Sequence, residues 1–375
     1  MSIEPENFYL ALKEEGINFF TGVPDSLLKE FCLCVDDNVN KDKHIIAANE
    51  GNAVALAAGY YLADKSIPLV YMQNSGLGNA INPLMSLCDP DVYSIPMLIM
   101  IGWRGEPGVK DEPQHVKQGA IQIELLNAMD IPFEVISNQD SDFNSKIKNI
   151  IKRSKSESRP VAILIKKETF NNYKIKKIDS KSTLMNREEA LEIILDSLHD
   201  DDIVISTTGK TSREIFEIRY RKKQKHEKDF LTVGSMGHCS SIALGIAIAK
   251  PERRVICIDG DGSMLMHLGS LTSIATTKPN NFIHILMNNG VHESVGGQET
   301  AAKHIDLSAI VSTFNVSDVT IVKNDEDLRV TINNLNSFSG SSFIEVKIKP
   351  GSRDNLGRPT IKPINNKIDF MDFLK

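Results

Sequence analysis

Short apolar, β-branched runs recur along the chain, and between them lie longer stretches whose apolar residues fall three or four apart. Runs of the first kind occupy 44–48, 67–73, 97–101 and 161–165, then 203–207, 255–259, 284–288 and 343–348. They predict strands. Helices are predicted over stretches such as 52–63 and 240–249. Strand and helix in alternation point to an α/β architecture with mostly parallel sheets. The pattern lapses over 166–186, which is polar and lysine-rich and reads as a linker. The expected division is a first domain over 1–170, a linker over 171–187 and a second domain over 188–375. Neither half visibly repeats the other.

The length of 375 residues agrees with two domains. With 41% hydrophobic and 25% charged residues the chain has the composition of a soluble globular protein. No apolar run reaches the roughly 18 residues of a membrane span. The opening MSIEPENFYLALKEEG carries acidic residues and lacks the basic and apolar regions of a signal peptide. The five cysteines have no ligand-like spacing, and Cys32 and Cys34 fall in an apolar helical stretch, so reduced core thiols are expected. These features predict a cytoplasmic protein. The net charge of −6 speaks against nucleic acid as the main partner. The basic run RYRKKQKHEK over 219–228 is expected to be a solvated helix end or loop.

The densest signal is the stretch from 253 to 290. An apolar strand ends in Asp259-Gly260-Asp261-Gly262, and an amphipathic helix is predicted next, with Leu265, Leu268, Leu271, Ile274 and Ala275 on one face. A second apolar strand then ends in Asn288-Asn289-Gly290. In a parallel sheet both strand ends open on the side where ligands bind. A carboxylate and a carboxamide therefore converge beside a helix N-terminus. Such oxygen ligands suit Mg²⁺, which completes its shell with phosphate oxygens and water. The glycines let the backbone approach phosphates, and the helix end favours negative charge.

GDG followed by NN, 30 residues from Gly260 to Asn289 inclusive, resembles the cofactor motif of the thiamine diphosphate-dependent 2-oxo acid decarboxylases. The resemblance implies two doubly wound parallel-sheet domains, one for the pyrimidine and one for the diphosphate, with no middle domain. It implies thiamine diphosphate and Mg²⁺ as cofactors, with the metal on Asp261, Asn289 and the carbonyl of Val291. Ser263, Gly260 and Gly262 would meet the diphosphate, as would Thr208 and Gly209 in the turn TTGKT. Gly234-Ser235-Met236-Gly237 resembles the segment that wedges the cofactor into its bent form; Met236 is the implied wedge, and the Gly234 carbonyl accepts from the exocyclic amine. ANEGNAVALAAGYYLA resembles the segment whose glutamate, here Glu50, shares a proton with the pyrimidine N1′.

Further motifs resemble a small group within that family that decarboxylates 2-oxo acids bearing a phosphonate or sulfonate on C3. They are GVPDS at 22–26, QNSGLGN at 73–79, GEPG at 105–108, NGVHESVGGQ at 289–298, GSR at 351–353 and LGRP at 356–359. A small anionic 2-oxo acid is thus the implied partner, with Asp25 and His115 joining Glu50 as catalytic candidates. Asp25 is expected close to the substrate. Arg104, Lys110, His115, His292, Arg353 and Arg358 are the candidates to meet its anionic groups. The family's sites lie between subunits, which implies a homo-oligomer, at least a dimer. Neither nucleic acid nor a membrane is an expected partner.

Overall fold

The computed structural model describes residues 2–174, 182–314, 316–335 and 340–375. They form two compact units, Met1–Asp179 and Ser180–Lys375. Each unit is built on a six-stranded sheet, every pair parallel. The first holds β1 (Phe20–Gly22), β2 (His44–Ile46), β3 (Leu69–Gln73), β4 (Met97–Gly102), β5 (Phe133–Ile136) and β6 (Pro160–Ile165) in the order β2-β1-β3-β4-β6-β5. The second holds β7 (Ile203–Ser206), β8 (Asp229–Leu231), β9 (Val255–Gly260), β10 (Phe282–Asn288), β11 (Asp318–Val322) and β12 (Ser342–Lys347). Its order is β8-β7-β9-β10-β12-β11, the same topology with every strand shifted by six.

The expected α/β class and parallel sheets are present. All eight predicted strands appear, and the predicted helices are Glu50–Asp64 and Cys239–Ala249. Four strands lie outside the prediction. β5, β8 and β11 are outermost strands; β5 and β11 are partly exposed and interrupted by polar residues, and β8 spans only three residues, the first of them Asp229. β1 is central but spans only three residues. The helix predicted after Gly262 is two helices, Asp261–Met266 and Ser270–Thr277. His267 breaks it by turning onto Gly237, where even a Cβ would lie 2.5 Å from the imidazole.

Both faces of each sheet are covered. In β4, Leu98 and Met100 pack in one cluster, while Met97, Ile99 and Ile101 pack in another. In β10, Ile283 and Ile285 face one way, Phe282 and Leu286 the other. Such doubly covered strands read as continuous apolar runs, which is why they were legible. The order of each sheet reverses between its first and third strands, and the crevice outside the carboxyl ends there is where such folds take ligands.

Residues before 175 fold back on the first unit: Ile3 bridges to Phe170, and Tyr173 N–H donates to Glu30, 2.7 Å. Asn186 opens the helix Arg187–Asp196 with a reciprocal cap involving Glu189. Residues 175–181 of the expected linker lie outside the described residues. Among the described residues no helix is long and apolar enough to cross a membrane. All five cysteines are free and buried.

The basic run differs from expectation at its start. Arg219 is fully buried and grips Asp229 through two hydrogen bonds of 3.0 Å. Arg221 and Lys222 pair with Glu188, Glu192 and Asp196 on the helix Arg187–Asp196. Removing one partner of a buried pair strands the other charge. Arg219→Ala should therefore destabilise the second unit by about 3–5 kcal/mol, whereas the exposed Arg221→Ala should cost under about 1 kcal/mol. Denaturant midpoints of the two variants check this ordering, and equal shifts would contradict it.

Candidate active site

In the second unit the GDG turn closes β9 and opens the helix Asp261–Met266. Asp261 is buried; its carboxylate accepts from the Thr300 hydroxyl and faces the N–H groups of Gly262 and Asn289. Burial pushes its carboxyl up to about 6, partly offset by those donors. Among the described residues no lysine, arginine or histidine pairs with it. A buried carboxylate with no side-chain cation fits a site for a hard metal ion. Asn289 accepts from Val291 N–H at 3.0 Å and donates to Glu293 at 2.9 Å. Glu293 is itself gripped by Arg187 (2.8 Å) and Lys210 (2.9 Å), which fixes which end of the Asn289 amide is the oxygen. The Val291 carbonyl accepts from Glu293 N–H, 3.0 Å.

Ser263 ties three segments together. Its hydroxyl accepts from Thr207 Oγ1 at 3.0 Å and from Gly237 N–H at 3.1 Å. Thr208 Oγ1 accepts from Gly234 N–H, 3.1 Å. The loop after β7 and the turn bearing Met236 are thereby joined to the GDG turn. Gly209 and Gly234 have φ of 93° and 75°, a region that favours glycine. At Gly262 a Cβ would come 3.1 Å from the His292 ring and 3.6 Å from Met236 Cε. The bare glycine thus lets Met236 and His292 approach the backbone. Burial pushes the His292 imidazole down to about 4.

In the first unit Glu50 begins its helix after the Asn49 cap and is buried. Asn79 donates to its Oε2 at 2.8 Å. The carboxylate lies against Gly76, where a Cβ would fall 2.2 Å from Oε1. A second acid, Asp25, is 1% exposed; Leu27 N–H donates to Oδ2 at 3.0 Å, and Oδ1 has no partner. A Cβ at Gly102 would sit 2.0 Å from Oδ2. Burial raises the Asp25 carboxyl to about 6 despite the nearby Arg104 charge. Asp111 holds Arg104 through two hydrogen bonds, and Arg104 also donates to Ser26 Oγ at 2.7 Å. His115 is buried with Nδ1 unpartnered, and burial, then the Arg104 charge, drive its imidazole down to about 4.

The structure brings together Asp25, Arg104 and His115, and separately Asp261, Asn289, Val291, Ser263, Thr208, Gly234 and Met236. Lys110 is exposed. Arg353 is held by Glu188 and Glu217, and Arg358 is exposed.

Residues 6–130 match the N-terminal TPP binding domain of thiamine pyrophosphate enzymes, and residues 208–346 match the C-terminal TPP binding domain. The chain belongs to the thiamine pyrophosphate enzyme family. It is 32% identical to phosphonopyruvate decarboxylase of Streptomyces viridochromogenes, over 96% of this chain and 92% of that protein. It is 30% identical to sulfopyruvate decarboxylase of Methanosarcina acetivorans, over 93% and 92%. A sulfopyruvate decarboxylase subunit beta of Methanococcus maripaludis is 35% identical over 51% of this chain and 98% of its own.

In this thiamine pyrophosphate enzyme several contact residues escaped the sequence reading. Gly76 and Asn79 lie inside QNSGLGN, a motif with no role attached, although both touch Glu50. Asp111, the anchor of Arg104, had no sequence signal at all.

The titrations of Asp25 and His115 oppose each other. As pH falls, folded Asp25 takes up its proton near 6, before the unfolded chain does at 3.8, so this group adds stability from about 6 down to about 4. His115 resists protonation until about 4, below its ordinary 6.5, so its contribution is lost over the same fall. Asp25→Asn removes only the gain. Relative to its own neutral-pH value, the variant should fall behind wild type by up to about 2–3 kcal/mol on acidification to about pH 4. Denaturant unfolding across that range reads the difference; parallel curves would mean that Asp25 is not an ionised, buried acid.

Proposed function

We propose that this enzyme decarboxylates 3-phosphonopyruvate to phosphonoacetaldehyde and CO₂, using thiamine diphosphate and Mg²⁺, as a step in phosphonate biosynthesis. The observation that carries the reading is the likeness to the Streptomyces phosphonopyruvate decarboxylase along nearly the whole of both chains. The buried acids, the oxygen ligands and the open glycine backbone of the two clusters support that reading.

When bound, the cofactor would supply the nucleophilic carbon and the electron sink that decarboxylation of a 2-oxo acid needs. Asp261, Asn289 and the Val291 carbonyl would hold the Mg²⁺. Thr208, Gly209, Gly260, Gly262 and Ser263 would receive the diphosphate, and Met236 with the Gly234 carbonyl would support the pyrimidine. Glu50 would share a proton with the pyrimidine, and Asn79 occupies one of its carboxylate oxygens, leaving the other for that role. Asp25, with its carboxyl near 6, can both give and take a proton close to neutral pH. His115 and His292 stay neutral there, able to donate or accept a hydrogen bond without adding charge. Of the cations considered, we favour Arg104 for the phosphonate, because Asp111 pre-orients it beside Asp25. Lys110, Arg353 and Arg358 are secondary candidates.

CO₂ release from phosphonopyruvate should require both thiamine diphosphate and Mg²⁺. Sulfopyruvate and pyruvate should be poorer substrates. Glu50→Gln should bind the cofactor yet lower kcat by about 10²-fold or more. A preference for sulfopyruvate would move the substrate assignment, and an unimpaired Glu50→Gln would make Glu50 only a helix cap.

We also propose a homo-oligomer in which Glu50 of one chain serves a site with Asp261 of another. Glu50→Gln and Asp261→Ala proteins, each inactive, should regain part of the activity when their subunits are exchanged. No recovery after exchange verified by mass spectrometry would place both groups of a site on one chain.

A further inference from the structure

Beneath the helix Cys239–Ala249 the second unit buries four metal-ligating side chains that the proposed reaction does not use. Cys257 and Asp259 are two apart on β9, so both side chains leave the same face of the sheet. His284 on β10 stands beside Cys257 in the strand register. Cys239 reaches down from the helix, its sulfur 3.6 Å from that of Cys257. None of the four is more than 2% exposed.

These groups have chiefly one another: His284 pairs with the Asp259 carboxylate across 3.6 Å, and Cys257 lies beside both. Neither ring nitrogen of His284 has a hydrogen-bond partner, nor has Oδ2 of Asp259. Their closest approach, Nε2 to Oδ2, is 3.6 Å, too long for a hydrogen bond. Phe282 and Phe343 flank the imidazole with centroids 6.1 and 5.3 Å away and offer it no polar alternative. Buried polar groups without partners are uncommon and call for an explanation, an ion among them.

The spacing fits a tetrahedral ion. One ligand atom each from Cys257, Asp259 and His284 lie within 4.8 Å of one another. Zinc bonds of about 2.3 Å to sulfur and about 2.0–2.1 Å to nitrogen or oxygen, at tetrahedral angles, set two sulfurs about 3.8 Å apart and a nitrogen and an oxygen about 3.3 Å apart. The separations of 3.6 Å between sulfurs and 3.6 Å between Nε2 and Oδ2 are close to both. Thiolate and imidazole ligands select zinc over magnesium. We propose that the second unit holds a structural zinc ion through Cys257, Asp259 and His284, with Cys239, which touches Cys257 but lies outside the close trio, turning onto the ion as the fourth ligand. Asp259 lies two residues before Asp261 on the same strand end, so the ion would also stiffen the support of the GDG turn.

The test uses the full-length protein, grown with zinc and then exchanged against EDTA at neutral pH. Elemental analysis and native mass spectrometry should find about one zinc per folded chain, as a closed structural site requires, while magnesium is stripped. Denaturation should release that zinc to a colorimetric chelator. Cys257→Ser and His284→Gln should each abolish it in folded protein. Should those variants not fold, wild-type protein grown with cobalt should show the absorption of tetrahedral cobalt with thiolate ligands. Folded wild type lacking both zinc and the cobalt band overturns the proposal. So does full zinc content in either folded variant. CO₂ release is measured separately, so failure here is distinct from failure of the decarboxylase reading.

Discussion

Covering both faces of a parallel sheet with apolar side chains leaves the strand ends as the main place for polar chemistry. β4, β6 and β10 are buried along their whole length. The candidate acids Asp25, Glu50 and Asp261 are therefore crowded into the turns beyond the strands, and they too are buried. Room for them comes from glycine. Glu50 rests on Gly76, Asp25 on Gly102 and His292 on Gly262, and in each case a side chain on the glycine would meet the functional group. Burial leaves few water neighbours, which is why the Asp25 and Asp261 carboxyls are both pushed up to about 6.

The shared topology sets the chemistry of the two units side by side. The loop after β1 carries Asp25; its counterpart after β7 carries Thr207, Thr208 and Gly209. Beyond β3 come Gly76 and Asn79, and beyond β9 comes Asp261. β4 leads to Arg104, and β10 leads to Asn289 and Val291. Glu50 follows β2 as Met236 follows β8. Equivalent strand ends thus present acids and an arginine in one unit, and oxygen ligands, hydroxyls and open glycine backbone in the other. One scaffold is used twice for unlike tasks, which is why no repeat is visible in the residues.

Legibility in the sequence followed burial and locality. Strands covered on both faces announced themselves as apolar runs, while β5, β8 and β11 at the sheet edges did not. Asp261, Asn289 and Glu50 stand out in the sequence as candidates because each belongs to a contiguous motif. Residues that act through another side chain do not: Asn79 on Glu50 and Asp111 on Arg104 depend on tertiary placement. The same holds for Cys239, Cys257, Asp259 and His284, which lie on one helix and two strands and lack any ligand-like spacing. Arg219 shows the converse error, since a run of positive charge does not reveal which member turns inward onto Asp229.

Each unit closes its own sheet and buries its own pair of apolar clusters. Among the described residues every strand of the first sheet ends by Ile165 and every strand of the second begins after Asp202, so each core is complete on its own side of the division. Such an architecture is indifferent to whether one reading frame or two encode it.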